Sequence, residues 1–367
     1  MGDLLLGLNS DSIGIELVQY KPRNCVGAVD FKEEQLVKEV RAKLVGSCAN
    51  SVALIHIVVG TKTGLIYPSI TVVEQLQHEF GERVVVCVDA CQLRCKLGHI
   101  ADYTKRGFTT LITGSKFFCG PPFSGGVVIP GAQVAELEDY LKQGESLNVV
   151  PEGLCNYITK FEVPAGMLQL RSYLQPKSWI NFGLHLRWSC ALESIEQYCD
   201  LDAAKVQQFT VQWADRVRSA VKNAAPFLQL VQDPDGTGMG RGIEDEMVGS
   251  TNSIVSIAIH VPSSEETTRF LNFDECKAYH KLMTQQVTDG DRRDDALAVQ
   301  CMLGQPVKLA DNGFAVVRIA LGAEMVIAAL QQEKAVEDIF AEDTRIISKM
   351  AKLASSWSYF SQGLSRM

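Results

Sequence analysis

Two charged side chains stand where apolar runs stop. The run Val84 to Val88 ends in Asp89, and the run Thr109 to Ile112 ends in Thr113-Gly114-Ser115-Lys116. A lysine amine can form a Schiff base with a carbonyl, and a carboxylate beside it can hold a cationic ring nitrogen, so the two could serve one bound molecule. For an isolated Asp and Lys, a structural ion pair or two solvated loop positions is the plainer reading. The question is whether the surrounding elements bring them together.

Short, β-branched, largely apolar runs closed by Gly or polar residues read as strands buried on both faces of a sheet. Val84 to Val88, Thr109 to Ile112 and Gly126 to Ile129 are such runs, and Val52 to Val59 is another. The spacing of apolar residues predicts helices over Phe31 to Leu44, Ile70 to Phe80 and Ala132 to Leu141. Strand and helix therefore alternate, which implies βαβ units and an α/β fold with a mostly parallel sheet flanked by helices. In such sheets ligands sit outside the carboxyl ends of the strands, where Asp89 and Lys116 fall. A strand is also expected at Ser12 to Gln19. Further on come helices Phe182 to Tyr198 and Ala203 to Ala224, then a smaller α+β unit: strand Ile254 to Val261, helix Asp274 to Gln286, strand Ala315 to Ala320 and helix Glu324 to Ala354. This divides the chain into a large domain, 1–230, and a small C-terminal domain, 231–367.

Composition narrows the classes. With 46% hydrophobic and 21% charged residues among 367, the chain is an ordinary globular one. A net charge of −8 argues against a nucleic-acid partner. The longest apolar runs are too short to cross a bilayer, no basic leader precedes Leu4 to Leu8, and Leu6 breaks the myristoylation pattern after Gly2. Eleven cysteines scattered through the elements suit reduced thiols in an intracellular, by default cytoplasmic, setting. Cys87, Cys91 and Cys95 match no zinc spacing and read as buried, inert thiols, so no metal is expected. The glycines between Asp233 and Gly242 lead into an acidic segment rather than a helix, and read as a surface hairpin or linker.

Val86-Cys-Val-Asp89-Ala-Cys-Gln92 and Thr113-Gly-Ser-Lys116-Phe-Phe-Cys-Gly-Pro-Pro resemble the cofactor motifs of fold-type I pyridoxal-phosphate enzymes, in the class V aminotransferase and cysteine desulfurase group. Gly14 to Leu36, Gly60-Thr-Lys-Thr-Gly-Leu-Ile-Tyr-Pro68 and Val317-Arg318-Ile-Ala-Leu-Gly322 extend the likeness nearly end to end. The resemblance implies that Lys116 carries pyridoxal 5'-phosphate as a Schiff base and moves protons at the substrate α-carbon. It implies that Asp89 holds the ring nitrogen, Gln92 the phenolic oxygen and Thr113 the phosphate, and that Arg318 grips the carboxylate of an amino-acid substrate in a transamination or β-elimination. Thr61 stands where the related enzymes have an Asn that touches the cofactor oxygen, and Ser115 replaces the desulfurase His. Cys301 lies two residues from the position of the desulfurase cysteine.

The family's phosphate loop and ring-stacking aromatic lie upstream of Ser12, so this chain is expected to lack both, as a truncated family member. A catalytically impaired paralogue that keeps the fold and dimerises is the alternative. A homodimer is implied by the same resemblance, and Trp179, His185, Arg187 and Trp188 could open its interface; Trp188 and Leu184 could equally be core.

Overall fold

The computed structural model describes residues 14–24, 28–30, 32–143, 152–174, 179–231, 253–263, 267–287, 294–310 and 313–364. The loop from Asp233 to Gly242 lies outside them. Two five-stranded sheets organise the chain. The first contains β1 (Ala53–Val59), β2 (Ile66–Tyr67), β3 (Val84–Asp89), β4 (Thr109–Thr113) and β5 (Gly125–Val128), in the order β2-β1-β3-β4-β5. Its centre, β1-β3-β4, is parallel; the edge strands β2 and β5 run antiparallel to their neighbours.

Helices α1 (Glu33–Gly46), α2 (Ile70–Phe80) and α3 (Leu97–Lys105) share a core with one face of this sheet: Leu36, Leu76 and Tyr103 meet Ile57, Val86 and Val88. Ser69 caps α2, its hydroxyl accepting from the Val72 amide. The opposite face departs from the expectation of strands buried on both sides. Leu54 is 59% exposed, Val127 56% and Val85 37%, because no described helix covers that part of the sheet. Near the carboxyl edge cover returns: the Trp188 ring of α6 (Phe182–Cys199) would meet a Cβ placed on Gly126 at 3.1 Å, and its indole N–H donates to the Gly125 carbonyl.

In chain order α4 (Gly131–Lys142), α5 (Leu168–Tyr173), α6 and α7 (Ala203–Asn223) follow the first sheet. The second sheet, antiparallel, has the order β6-β7-β10-β9, from β6 (Leu228–Leu230), β7 (Ile254–Pro262), β9 (Gly304–Lys308) and β10 (Ala315–Ala320); the short β8 (Thr268–Phe270) pairs with β7. Helices α8 (Phe273–Met283), α9 (Ala323–Leu330), α10 (Val336–Ser355) and α11 (Trp357–Leu364) complete the chain. Trp213 and Val217 of α7 are packed into the same core as β7, β10 and α10. No helix among the described residues is long and apolar enough to cross a membrane.

Two further expectations are corrected. Gly14 to Gln19 forms no strand; Ile15 and Leu17 are exposed, and no neighbouring strand pairs with their backbone among the described residues. The single helix over Glu324 to Ala354 is two. Gln332 adopts φ 62°, and the Glu333 and Lys334 amides turn back onto the Ala328 carbonyl at 3.0 and 3.1 Å, which ends α9 in a left-handed cap before Glu337 and Asp338 start α10.

Candidate active site

The register of the parallel strands sets the site. Asp89 is the last residue of β3, paired with Val58 of β1 on one side and Leu111 of β4 on the other. Its Oδ1 accepts from the Cys91 amide at 3.0 Å, and the Ala90 amide donates to the Leu111 carbonyl, so the chain turns sharply just beyond the carboxylate. Gln92 follows within this turn. Gly60, the first residue after β1, lies against it: with φ 77° and a Cβ that would stand 3.5 Å from Cβ of Gln92, this is a position suited to glycine.

Lys116 sits on the loop that leaves β4. Phe117 and Phe118 point inward, edge to face with Tyr198 at 5.2 and 5.5 Å between centroids, while Lys116 is exposed. The loop is closed by the Gly114 amide donating to Ser124, the Gly120 amide to Gly114 and the Cys119 amide to Lys116. Gly114 and Gly120 straddle Ala191 of α6; a Cβ on Gly114 would fall 2.3 Å from that of Ala191. On the other side the Ala323 amide, opening α9, donates to the Phe117 carbonyl at 2.7 Å.

The electrostatics tie the two charges together. The Cys91 thiol is pushed up to about 11 by burial and then by Asp89, while Lys116 pulls it back. Both charges therefore act on one sulfur. Burial likewise pushes the Cys95 thiol up to about 11. No group of His, Cys, Asp and Glu that could hold a metal occurs among the described residues.

Thr113 and Ser115 hydroxyls lie 2.8 Å apart. Thr61 is turned onto its own loop, where its Oγ1 accepts from the Leu65 amide at 3.0 Å. Arg318, 9% exposed, reaches the same loop: Nη1 donates to the Lys62 carbonyl at 2.8 Å, and Nε and Nη2 donate to the Gln305 carbonyl at 3.3 and 3.2 Å. Gly304 lets the guanidinium lie across β9, since a Cβ there would stand 3.0 Å from it. All six expected residues thus gather at, or reach across to, the carboxyl edge of the first sheet. Cys301 does not; its thiol donates to the Met283 carbonyl in the second core.

One residue was missed. Arg94, two positions after Gln92, donates through Nη1 to the carbonyls of Leu321 at 2.7 Å and Ser253 at 3.3 Å, and its guanidinium lies 5.2 Å over the Phe117 ring. Burial, then the charge of Arg318, lowers it to about 10. The only signal in the sequence was a cation two positions beyond Gln92, flanked by Leu93 and Cys95.

No family model matches the chain, and no curated protein matches it. Among solved structures it is similar to Sphingomonas wittichii serine palmitoyltransferase, with 11% identity and a TM-score of 0.41 over 87% of this chain and 60% of that one. It is also similar to a NifS-like protein, with 13% identity and a TM-score of 0.43 over 88% of this chain and 68% of that one. A structure of SPT with its PLP internal aldimine gives 12% identity and a TM-score of 0.39 over 85% of this chain and 60% of the other. The chain thus spans 60% of the length of the first and the third of these structures.

Proposed function

We propose that the carboxyl edge of the first sheet is the active site of a pyridoxal-phosphate-dependent enzyme acting on an amino acid, by transamination or β-elimination. The observation that carries this reading is the placement of Asp89 and Lys116 at the ends of the adjacent parallel strands β3 and β4, both close enough to perturb Cys91. The donor set fits two ends of the cofactor: a carboxylate for a protonated pyridine nitrogen, and an exposed amine for a carbonyl. When bound, the cofactor supplies a sink for electrons released at the substrate carbon.

The chain's own groups supply the rest. Asp89, braced by the Cys91 amide, would accept the ring N–H and keep it protonated. Lys116 Nζ takes and returns the α-proton from an exposed loop that Phe117 and Phe118 anchor. Gln92 would donate to the phenolic oxygen, and the Thr113 hydroxyl, paired with Ser115, would help to hold the phosphate. Arg318 is oriented by the Gln305 and Lys62 carbonyls and offers its planar fork to the substrate carboxylate. Exposed Trp179, Phe182 and Leu186 on and before α6 support a homodimer, and the free state of every described cysteine supports an intracellular setting.

A second reading, a catalytically impaired paralogue that keeps the fold, is favoured by Thr61, whose hydroxyl oxygen is turned onto its own loop to accept from the Leu65 amide. One experiment separates the two. Purified protein is incubated with pyridoxal phosphate, reduced with borohydride and mapped by mass spectrometry. The enzyme reading expects the label at Lys116; absence of any label there refutes it. Asp89→Ala should keep the label and lose turnover, whereas undiminished turnover would refute the role given to Asp89.

A further inference from the structure

Far along the chain from Lys116, a cavity of about 350 Å³ opens between α7 and α10. Its apolar lining comes from Val217 and Ala220 of α7 and from Phe340 and Ile347 of α10, with the charged pair Arg216 and Glu337 beside them. Asp343 also lines it, although only 6% of this residue is exposed. A carboxylate so deeply placed on an apolar wall is costly unless something pairs with it.

The described chain supplies one partner. The indole N–H of the fully buried Trp213 donates to Oδ2 at 2.8 Å, and Oδ1 accepts nothing from the described residues. Every nearby charge is committed elsewhere. Lys334 donates to Glu342 at 2.7 Å, and Arg216, at the rim, pairs with Glu337 at 3.4 Å while its guanidinium lies 4.8 Å over Phe340. The Thr344 hydroxyl donates to the Phe340 carbonyl. The cavity therefore presents an acceptor on an apolar wall, with two carboxylates, Asp343 and Glu337, against one guanidinium, Arg216. An anion would meet repulsion there, while a cation with an apolar body would satisfy both walls and carboxylate.

We infer that the cavity between α7 and α10 is a binding site for a small organic ammonium ion, its N–H group held by Asp343 and its apolar body by Val217, Ala220 and Ile347. Titration follows from the same geometry. Burial raises the Asp343 carboxyl to about 6, Glu342 pushes the same way and Lys334 opposes. The ammonium needs the ionised form, so affinity holds above that value and falls about tenfold for each pH unit below it. Stability of the unliganded protein carries the opposite sign. The native state binds this proton more tightly than the unfolded chain, so the stabilising contribution of the protonated acid is complete below about pH 4 and is lost as pH rises through about 6.

Benzylammonium is a suitable probe, titrated into the full chain by calorimetry at about pH 7.5 and about pH 5. Binding is expected at the higher pH and at least about tenfold weaker at the lower. Asp343→Asn keeps an acceptor for Trp213 and should melt as a folded protein, yet lose benzylammonium by at least about tenfold and with it the pH dependence. Ala220→Phe, which fills the cavity from the other helix, should abolish binding while leaving Asp343 in place. Equal affinity for benzyl alcohol, unaltered binding by Asp343→Asn, or no binding at millimolar probe would each overturn the inference.

Discussion

The fit of Lys116's loop onto α6 yields a prediction with a computable size. Gly114→Ala would place its Cβ 2.3 Å from Cβ of Ala191 and 3.4 Å from Oγ of Ser124. Carbon atoms pack at roughly 3.5–4.0 Å, so the loop and helix must part by more than about 1 Å. Ala191 is fully buried, and on its other flank Gly120 also sits too close for a Cβ, 2.8 Å away, so sliding α6 sideways only moves the clash. Overpacking of this kind costs about 1–3 kcal/mol, and the lack of an escape route puts Gly114→Ala near about 3. Ala191→Gly alone should cost about 1 kcal/mol, the usual helix penalty for glycine. Combined with Gly114→Ala it removes the methyl group that clashes, so the double variant should cost about 1 rather than about 4, a coupling of about 3 kcal/mol. Urea denaturation of the four proteins gives this cycle directly. Borohydride labelling of Lys116 should follow the same order, since the lysine is carried on the displaced loop. Additive costs would refute the packing argument. Rescued stability without rescued labelling would instead separate the packing from the placement of Lys116.

Two more predictions test the groups outside the site. Lys349 is fully buried, and its Nζ donates to the carbonyls of Met283, Gln285 and Val299, tying the end of α8 to α10. Three charge-assisted bonds at about 1.5–3 kcal/mol each are largely offset by the cost of burying the ammonium, so Lys349→Met should destabilise by about 2 kcal/mol in urea titrations. Burial lowers the Lys349 amine, so the native state loses its proton before the unfolded chain does; the wild type should gain on the variant as pH rises through that window, and a gap that narrows would contradict the linkage. Among the described thiols, Cys48 is exposed and lowered by hydrogen bonds from Ser51 and Asn50, whereas burial raises Cys95 to about 11 and Cys276 to about 12. Iodoacetamide at neutral pH, followed by peptide mass spectrometry, should modify Cys48 at least about tenfold faster than either.

How much of this was legible in the sequence depended on whether a feature is local. The strands carrying Asp89 and Lys116 announced themselves because a central parallel strand needs apolar residues in unbroken runs, and α2, α6 and α7 because their apolar spacing holds for several turns. Gly14 to Gln19 has strand chemistry but no pairing partner among the described residues, and a strand exists only where a neighbour completes its hydrogen bonds. The break at Gln332 left no signal, since a non-glycine residue holds the left-handed cap. Arg94 binds carbonyls 159 and 227 positions away, and Asp343 meets Trp213 130 positions away. On a helix or in a turn, such charges read as solvated until the tertiary contact is known.

Those long contacts also decide what the site requires. Asp89 and Lys116 belong to the first sheet, but the groups that fix their surroundings do not. Arg318 comes from β10 to hold the Lys62 carbonyl, Arg94 crosses from the turn after β3 to hold the Leu321 carbonyl at the end of β10, and the amide that opens α9 holds Phe117 beside Lys116. These bonds interlock: loosening the second sheet frees the loop at Lys62, the turn beyond Gln92 and the residue next to Lys116 at once. Two desolvated guanidiniums near one another are tolerated because backbone carbonyls accept hydrogen bonds from each separately and so replace part of its lost hydration. The geometry of the candidate site is thus a property of the docked sheets, and the pair that stood out first in the sequence acquires its arrangement only from residues read last.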